Sequence, residues 1–218
     1  MNIKKTANLL LNFAIKRIAE IFGIIIFGSG LLLLISLLSY SPDDPNFVFP
    51  DNTQIKNLLG FQGSFISDIF FQSVGLVSYL ISLTFLITGI NIFRTKEFFL
   101  FIENIFFVIL YSIFGTLFLT HFYSDIFTFY INGNGGFVGN YLNQTFLNSL
   151  ILLNENIFFY LLILFTIIIF LISINFSPRK FFKFIKKYLN LFRNNNKIYT
   201  DKSEIINEYI PQDQIKDL

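Results

Sequence analysis

The chain has 218 residues, 54% of them apolar, 19% aromatic and only 14% charged, which excludes an ordinary soluble domain and a disordered one. It has no Cys, so disulfides and thiolate metal sites are excluded as well. The net charge of +2 is small but unevenly placed: of sixteen Lys and Arg residues, only Lys56 falls within segments 41–68 and 124–156.

Residues 1–20 mix Lys4, Lys5, Lys16 and Arg17 with Leu9, Leu10, Phe13 and Ile18, a composition suited to a helical approach along a membrane surface. Four apolar stretches follow, at 21–40, 69–93, 104–123 and 157–176, and none contains Lys or Arg. Each can cross about 30 Å of hydrocarbon at about 1.5 Å per residue. The first is too long for a cleaved signal and no small-x-small site follows it, so it reads as an uncleaved span. Basic residues precede the first stretch, separate the second from the third as Arg94 and Lys96, and follow the fourth. Because such residues stay on the cytoplasmic side, both termini are expected inside and both longer connections outside. The predicted fold is an all-α polytopic membrane protein, with a four-span domain at 21–176.

The first external connection opens with Ser41, Pro42, Asp43, Asp44 and Pro45, whose prolines remove amide donors and stop the emerging helix. Asp43, Asp44 and Asp51 read as a solvated turn rather than a cation site, since they lack regular ligand spacing. In the second stretch Asp68, Gly75, Ser82 and Gly89 recur every seven residues, with Gln72 and Ser78 between them. This makes one small and polar stripe on a continuous helix, suited to close packing in lipid. Gly23, Gly30, Ser29 and Ser36 give the first span a weaker version. The two faces are expected to meet each other or a neighbouring copy, and Asp68 to lie at the outer mouth.

Between the third and fourth spans, Asn132 to Gly136 is glycine-rich, but without a basic residue or a preceding strand it does not suit phosphate binding. The apolar residues after it recur at helical spacing, which predicts a short helix lying on the outer surface or dipping into the bilayer. Asn140, Asn143, Gln144 and Asn148 would then face water or a periplasmic partner. After the fourth span, segment 177–193 places Arg179, Lys180, Lys183, Lys186 and Lys187 opposite a row of Phe, Ile, Tyr and Leu. It reads as an amphipathic helix on the anionic inner leaflet, its large apolar face disfavouring a DNA-binding arm. Segment 194–218 reads as a polar linker or tail.

Residues 36–45, Ser-Leu-Leu-Ser-Tyr-Ser-Pro-Asp-Asp-Pro, resemble the end of the first span in the N-terminal four-span region of FtsK-type bacterial DNA translocases. The series Asn57, Gly60, Gly63, Asp68 and Gly75 is similar to that family's entry to its second span, and Gly135-Gly136-Phe137-Val138-Gly139-Asn140 to its glycine-rich segment. The resemblance implies an inner-membrane anchor at the division septum, a homo-oligomer, other division membrane proteins as partners, and DNA engaged only indirectly through a motor. No Gly in the chain is followed by Lys, so the motor's phosphate-cradling loop is absent from these residues. The family implies no catalytic residue, cofactor or metal for this region, and an enzyme is not expected. A small transporter or channel component is the alternative, but it would need midplane polar groups and broken helices. Glu103, His121 and Glu155 all lie near span ends.

Overall fold

In a computed structural model, residues 3–45, 54–124, 132–179, 183 and 186 are described, and all regular structure among them is helical. The chain divides into two compact units, Met1–Phe176 and Ser177–Leu218. The first contains helices α1 (Ile3–Leu38), α2 (Gly60–Val74), α3 (Ser78–Thr95), α4 (Phe99–Phe122), α5 (Gly136–Asn143), α6 (Phe146–Leu153) and α7 (Glu155–Ser173). Four stretches are long and apolar enough to cross a membrane: Asn8–Leu38, Gly60–Thr95, Phe99–Phe122 and Glu155–Ser173. In the second unit Pro178 and Arg179 begin a helical turn, and Arg179, Lys183 and Lys186 are exposed; Lys180 and Lys187 lie outside the described residues.

α1 runs without a break through residue 20, so the expected surface-lying approach is instead collinear with the first crossing. No Gly or Pro interrupts residues 3–22, and nothing else in that stretch ends a helix. α1 pairs antiparallel with α3 in a constant register: Tyr79 Oη donates to the Leu37 carbonyl at 3.2 Å, and Lys96 forms an ion pair with Glu20 at the opposite end. Between these points Gly23 lies against Gly89 and Phe93, and Gly30 against Phe85 and Leu86. A Cβ at Gly23 would stand 2.7 Å from the Phe93 amide nitrogen, and one at Gly30 2.7 Å from that of Leu86. In lipid, where burying Leu or Phe contributes little to helix association, such backbone proximity replaces a hydrophobic drive.

α4 and α7 form a second antiparallel pair through Tyr111 on Phe170, Phe114 on Phe165 and Phe118 on Phe159, with ring centroids 5.3 to 5.8 Å apart. α3 joins the two pairs by polar contacts: Asn104 Nδ2 donates to Thr88 Oγ1 at 2.7 Å, and the Thr84 and Tyr111 hydroxyls lie 3.1 Å apart. At one end Lys96, at φ 65°, reverses the chain between α3 and α4. There Glu20 binds both Lys96 and Arg17. The opposite end carries the two long connections and is called the loop end below.

The second apolar stretch is not one helix. Gly75 adopts φ 58°, ψ −140°, a conformation essentially restricted to glycine, and a single 3-10 turn at Gly75–Val77 separates α2 from α3. The heptad stripe therefore does not form one face. Asp68 lies on α2, Gly75 at the break, and Ser82 and Gly89 on α3, where Gly89 packs against α1 inside the same chain.

Two glycines separate close approach from mere helix propensity. Gly89→Ala is expected to lower stability in detergent by at least about 1 to 3 kcal/mol, since its Cβ would strike the α1 backbone. Gly28→Ala, with nothing within 4 Å of the added methyl, should be neutral or stabilising by up to about 1 kcal/mol. Thermal unfolding of the two variants in one detergent checks the contrast.

Candidate interaction site

The loop end begins where α1 stops, before Ser41 and Pro42. Asp44 is only 1% exposed. Its Oδ1 accepts from the Lys56 amide and its Oδ2 from the Asn57 amide, both at 2.8 Å. It closes the first connection across its base, which corrects the expectation of a solvated Asp44: the carboxylate leaves water because two backbone donors replace its hydration. Asp43, one residue earlier, is exposed and pairs with Lys56 at 2.9 Å. Asp51 lies outside the described residues.

Asn57 carries the closure down to α1, its Nδ2 donating to the Ser36 carbonyl at 2.9 Å. Ser36 Oγ in turn donates to the Gly63 carbonyl, and Ser64 Oγ to the Pro45 carbonyl at 3.1 Å. These bonds fasten the start of α2 to the end of α1. Further along α2, Asp68 is buried beside Tyr40, whose hydroxyl donates to it at 3.2 Å. Ser78 and Ser82 are also buried, but their hydroxyls donate to nearby backbone, Ser78 to the Gly75 carbonyl in the preceding 3-10 turn and Ser82 to the Tyr79 carbonyl of α3. Of the expected packing residues, Gly23, Gly30 and Gly89 lie at the α1–α3 backbone contact, and Gly75 meets Gly136 outside it.

At Gly75 the second long connection meets the break between α2 and α3. The Leu76 amide, freed by the break, donates to the Asn134 carbonyl at 2.9 Å, and Gly75 and Gly136 lie backbone against backbone. Asn132 Nδ2 donates to the Gln72 side-chain carbonyl at 3.1 Å, and Asn134 Nδ2 to the Tyr123 carbonyl. Gly135 and Gly139 sit on Thr116 and Thr120 of α4. The segment after the glycines forms two short helices rather than one, since Thr145 ends α5 and caps α6, accepting from the Leu147 amide. Asn140 donates to the Asn132 carbonyl at 2.9 Å, and Asn143 Oδ1 lies 3.3 Å from His121 Nδ1. Both are turned toward the protein, contrary to the expected water-facing placement. Glu103 and Glu155 are exposed.

The assembled platform is a surface braced by backbone and side-chain hydrogen bonds. Among the described residues no three His, Asp or Glu side chains come together. Ile55, Leu58 and Phe61 project from the platform, with Leu58 78% exposed. Beneath them an open, mainly apolar groove of about 390 Å³ runs between α1 and α2, past Ser29, Leu33, Ser36, Gly63 and Phe70.

The family described as the 4TM region of DNA translocase FtsK/SpoIIIE matches residues 15–186, which take in most of the first crossing, the other three and the whole loop end. The chain belongs to this family. Over 175 residues it is 30% identical to the DNA translocase FtsK of Rickettsia prowazekii, covering 80% of this chain and 23% of that protein. Over 154 residues it is 33% identical to the DNA translocase FtsK of Rickettsia bellii, covering 71% and 19%. A 69-residue match to the DNA translocase FtsK of Rhizobium meliloti is 33% identical and covers 32% and 8%. The chain thus spans less than a quarter of the length of these curated relatives, and what it matches is the FtsK membrane region rather than a motor. No solved structure matches it. It is a multi-pass membrane protein of the FtsK type.

Sequence reasoning missed the interior work of Asp44, Asn57, Asn132 and Asn134, and the ion pairing of Glu20. The only available signal was that Asn57, Gly63, Gly75 and the 135–140 segment carry the family pattern. Asp44→Ala, which strands two backbone donors, is expected to cost about 1 to 3 kcal/mol. Asp43→Ala, which removes an exposed pair, should cost no more than about 1 kcal/mol. The Asp43 carboxylate beside Lys56 raises the ammonium pKa above the ordinary Lys value, so on the alkaline side the pair is kept until pH rises through that raised value. Thermal unfolding at neutral and strongly alkaline pH tests both statements.

Proposed function

We propose that this domain is the inner-membrane anchor and interaction module of an FtsK-type translocase acting in cell division and chromosome segregation. Both termini are cytoplasmic and the loop end is outside. The observation that supports this is the family match across all four crossings, combined with the charge placement. Arg17, Arg94 and Lys96 gather at the end opposite the loops, whereas Lys56 is the sole basic residue of the two long connections. These residues form the membrane part alone, and DNA is engaged only through a motor.

The proposed partners are as follows. Other division membrane proteins dock on the loop-end platform, at Ile55, Leu58 and Phe61. Copies of the chain associate through the lipid-facing side of α1, and the basic segment with Arg179, Lys180, Lys183, Lys186 and Lys187 lies on the anionic inner leaflet. The broken helix at Gly75 would suit a transporter, but its freed Leu76 amide is taken up by Asn134, which favours anchoring over transport.

A fluorescent protein fused after Leu218 tests location and orientation together in dividing cells. A bright band at mid-cell is the expected result. Uniform envelope fluorescence would remove septal targeting, and a dark fusion at normal protein level would reverse the topology.

A further inference from the structure

We infer that the α5–α6 hairpin is a membrane-embedded element, its outer face covered by lipid acyl chains of the leaflet at the loop end. Three independent observations carry this, and none depends on septal function. The first is charge: between Asp125 and Glu155 there is no charged side chain. A water-facing connection of that length ordinarily carries several.

The second is reversed amphipathicity. On a helix laid against a soluble core, polar residues face out and apolar residues face in. Here Asn140 and Asn143 turn inward to Asn132 and His121, and Asn148 holds its Oδ1 out of solvent. The outward positions are mainly apolar: Phe137, Tyr141, Phe146 and Leu153, the last three 62%, 72% and 80% exposed, with the uncharged Gln144 and Ser149 beside them. Such a surface matches hydrocarbon, not water.

The third is depth. Gly135 and Gly139 rest on Thr116 and Thr120 of α4, and buried Ile151 of α6 packs with Leu117, Phe118 and Leu162. Thr116 and Leu162 lie six and seven residues inside the loop-end termini of α4 and α7, or roughly 10 Å along each helix. That is the depth at which amphipathic helices embed in a leaflet, about 5 to 10 Å. The backbone also satisfies the requirement for irregular structure at membrane depth. Where α5 ends, the Gln144 amide donates to the Asn140 carbonyl and the Thr145 amide to that of Leu142.

The chain has no Trp, so a single introduced Trp is an unambiguous depth reporter. Tyr141→Trp and Leu153→Trp occupy exposed positions and leave the packing intact. Ile167→Trp, on the exposed side of α7, is the lipid-facing reference. The full chain carrying each substitution is reconstituted in phospholipid vesicles, with and without acyl chains brominated near the headgroup. Trp at 141 and 153 should lose as much emission to the brominated chains as Trp at 167, and should resist aqueous acrylamide. Quenching by acrylamide instead would put the hairpin in water and overturn the inference. Protection from both quenchers would also overturn it, by placing a protein, such as a second copy of the chain, over the face.

Discussion

The architecture depends on how one backbone amide is satisfied. Breaking a helix in an apolar setting exposes donors and acceptors that no water can reach, at a cost of several kcal/mol per unmet group. At Gly75 the break is tolerated because the Asn134 carbonyl meets the Leu76 amide, and it does so only because Gly75 and Gly136 let two backbones touch. Everything at the loop end follows. α2 is released to pack on the end of α1, α3 is free to align with α1 over its full length, and the glycine segment is held against α4.

The first three crossings are held to one another by two different devices. Between α1 and α3 the contact is steric, with Gly23, Gly30 and Gly89 bringing backbones together. Between α3 and α4 it is polar, through Asn104 with Thr88 and Thr84 with Tyr111. Such hydrogen bonds in bilayers contribute about 0.6 kcal/mol each on average. They add register more than strength, because sliding either helix would bury an unmatched amide or hydroxyl.

Much of this was legible in the sequence. Four long uncharged stretches predict four crossings, and the resemblance around Ser41 to Pro45 names the family. What failed was the assumption that seven-residue spacing implies a continuous stripe. Periodicity describes a helix that remains intact, and it cannot register that Gly75 will leave the helix for a partner distant in the chain. The same blindness hid Asp44, since a Pro-Asp-Asp-Pro turn looks solvated until the amides of Lys56 and Asn57 return to it. Asn140 and Asn143 were assigned to the wrong side because their partners, Asn132 and His121, become neighbours only in the folded chain.

The contact at Gly75 also sets an order of assembly. Gln72 and Asn132, which flank it, are 60 residues apart in sequence, so their contact cannot form until the third crossing is complete and the following connection has emerged. As synthesis proceeds, α1 and α3 can already pair while the stretch from Gly60 to Thr95 still lacks the carbonyl that stabilises its break. The break at Gly75 is therefore completed only when Asn134 arrives, after α1 and α3 are in place and before α7 is made to cover α4 and α6.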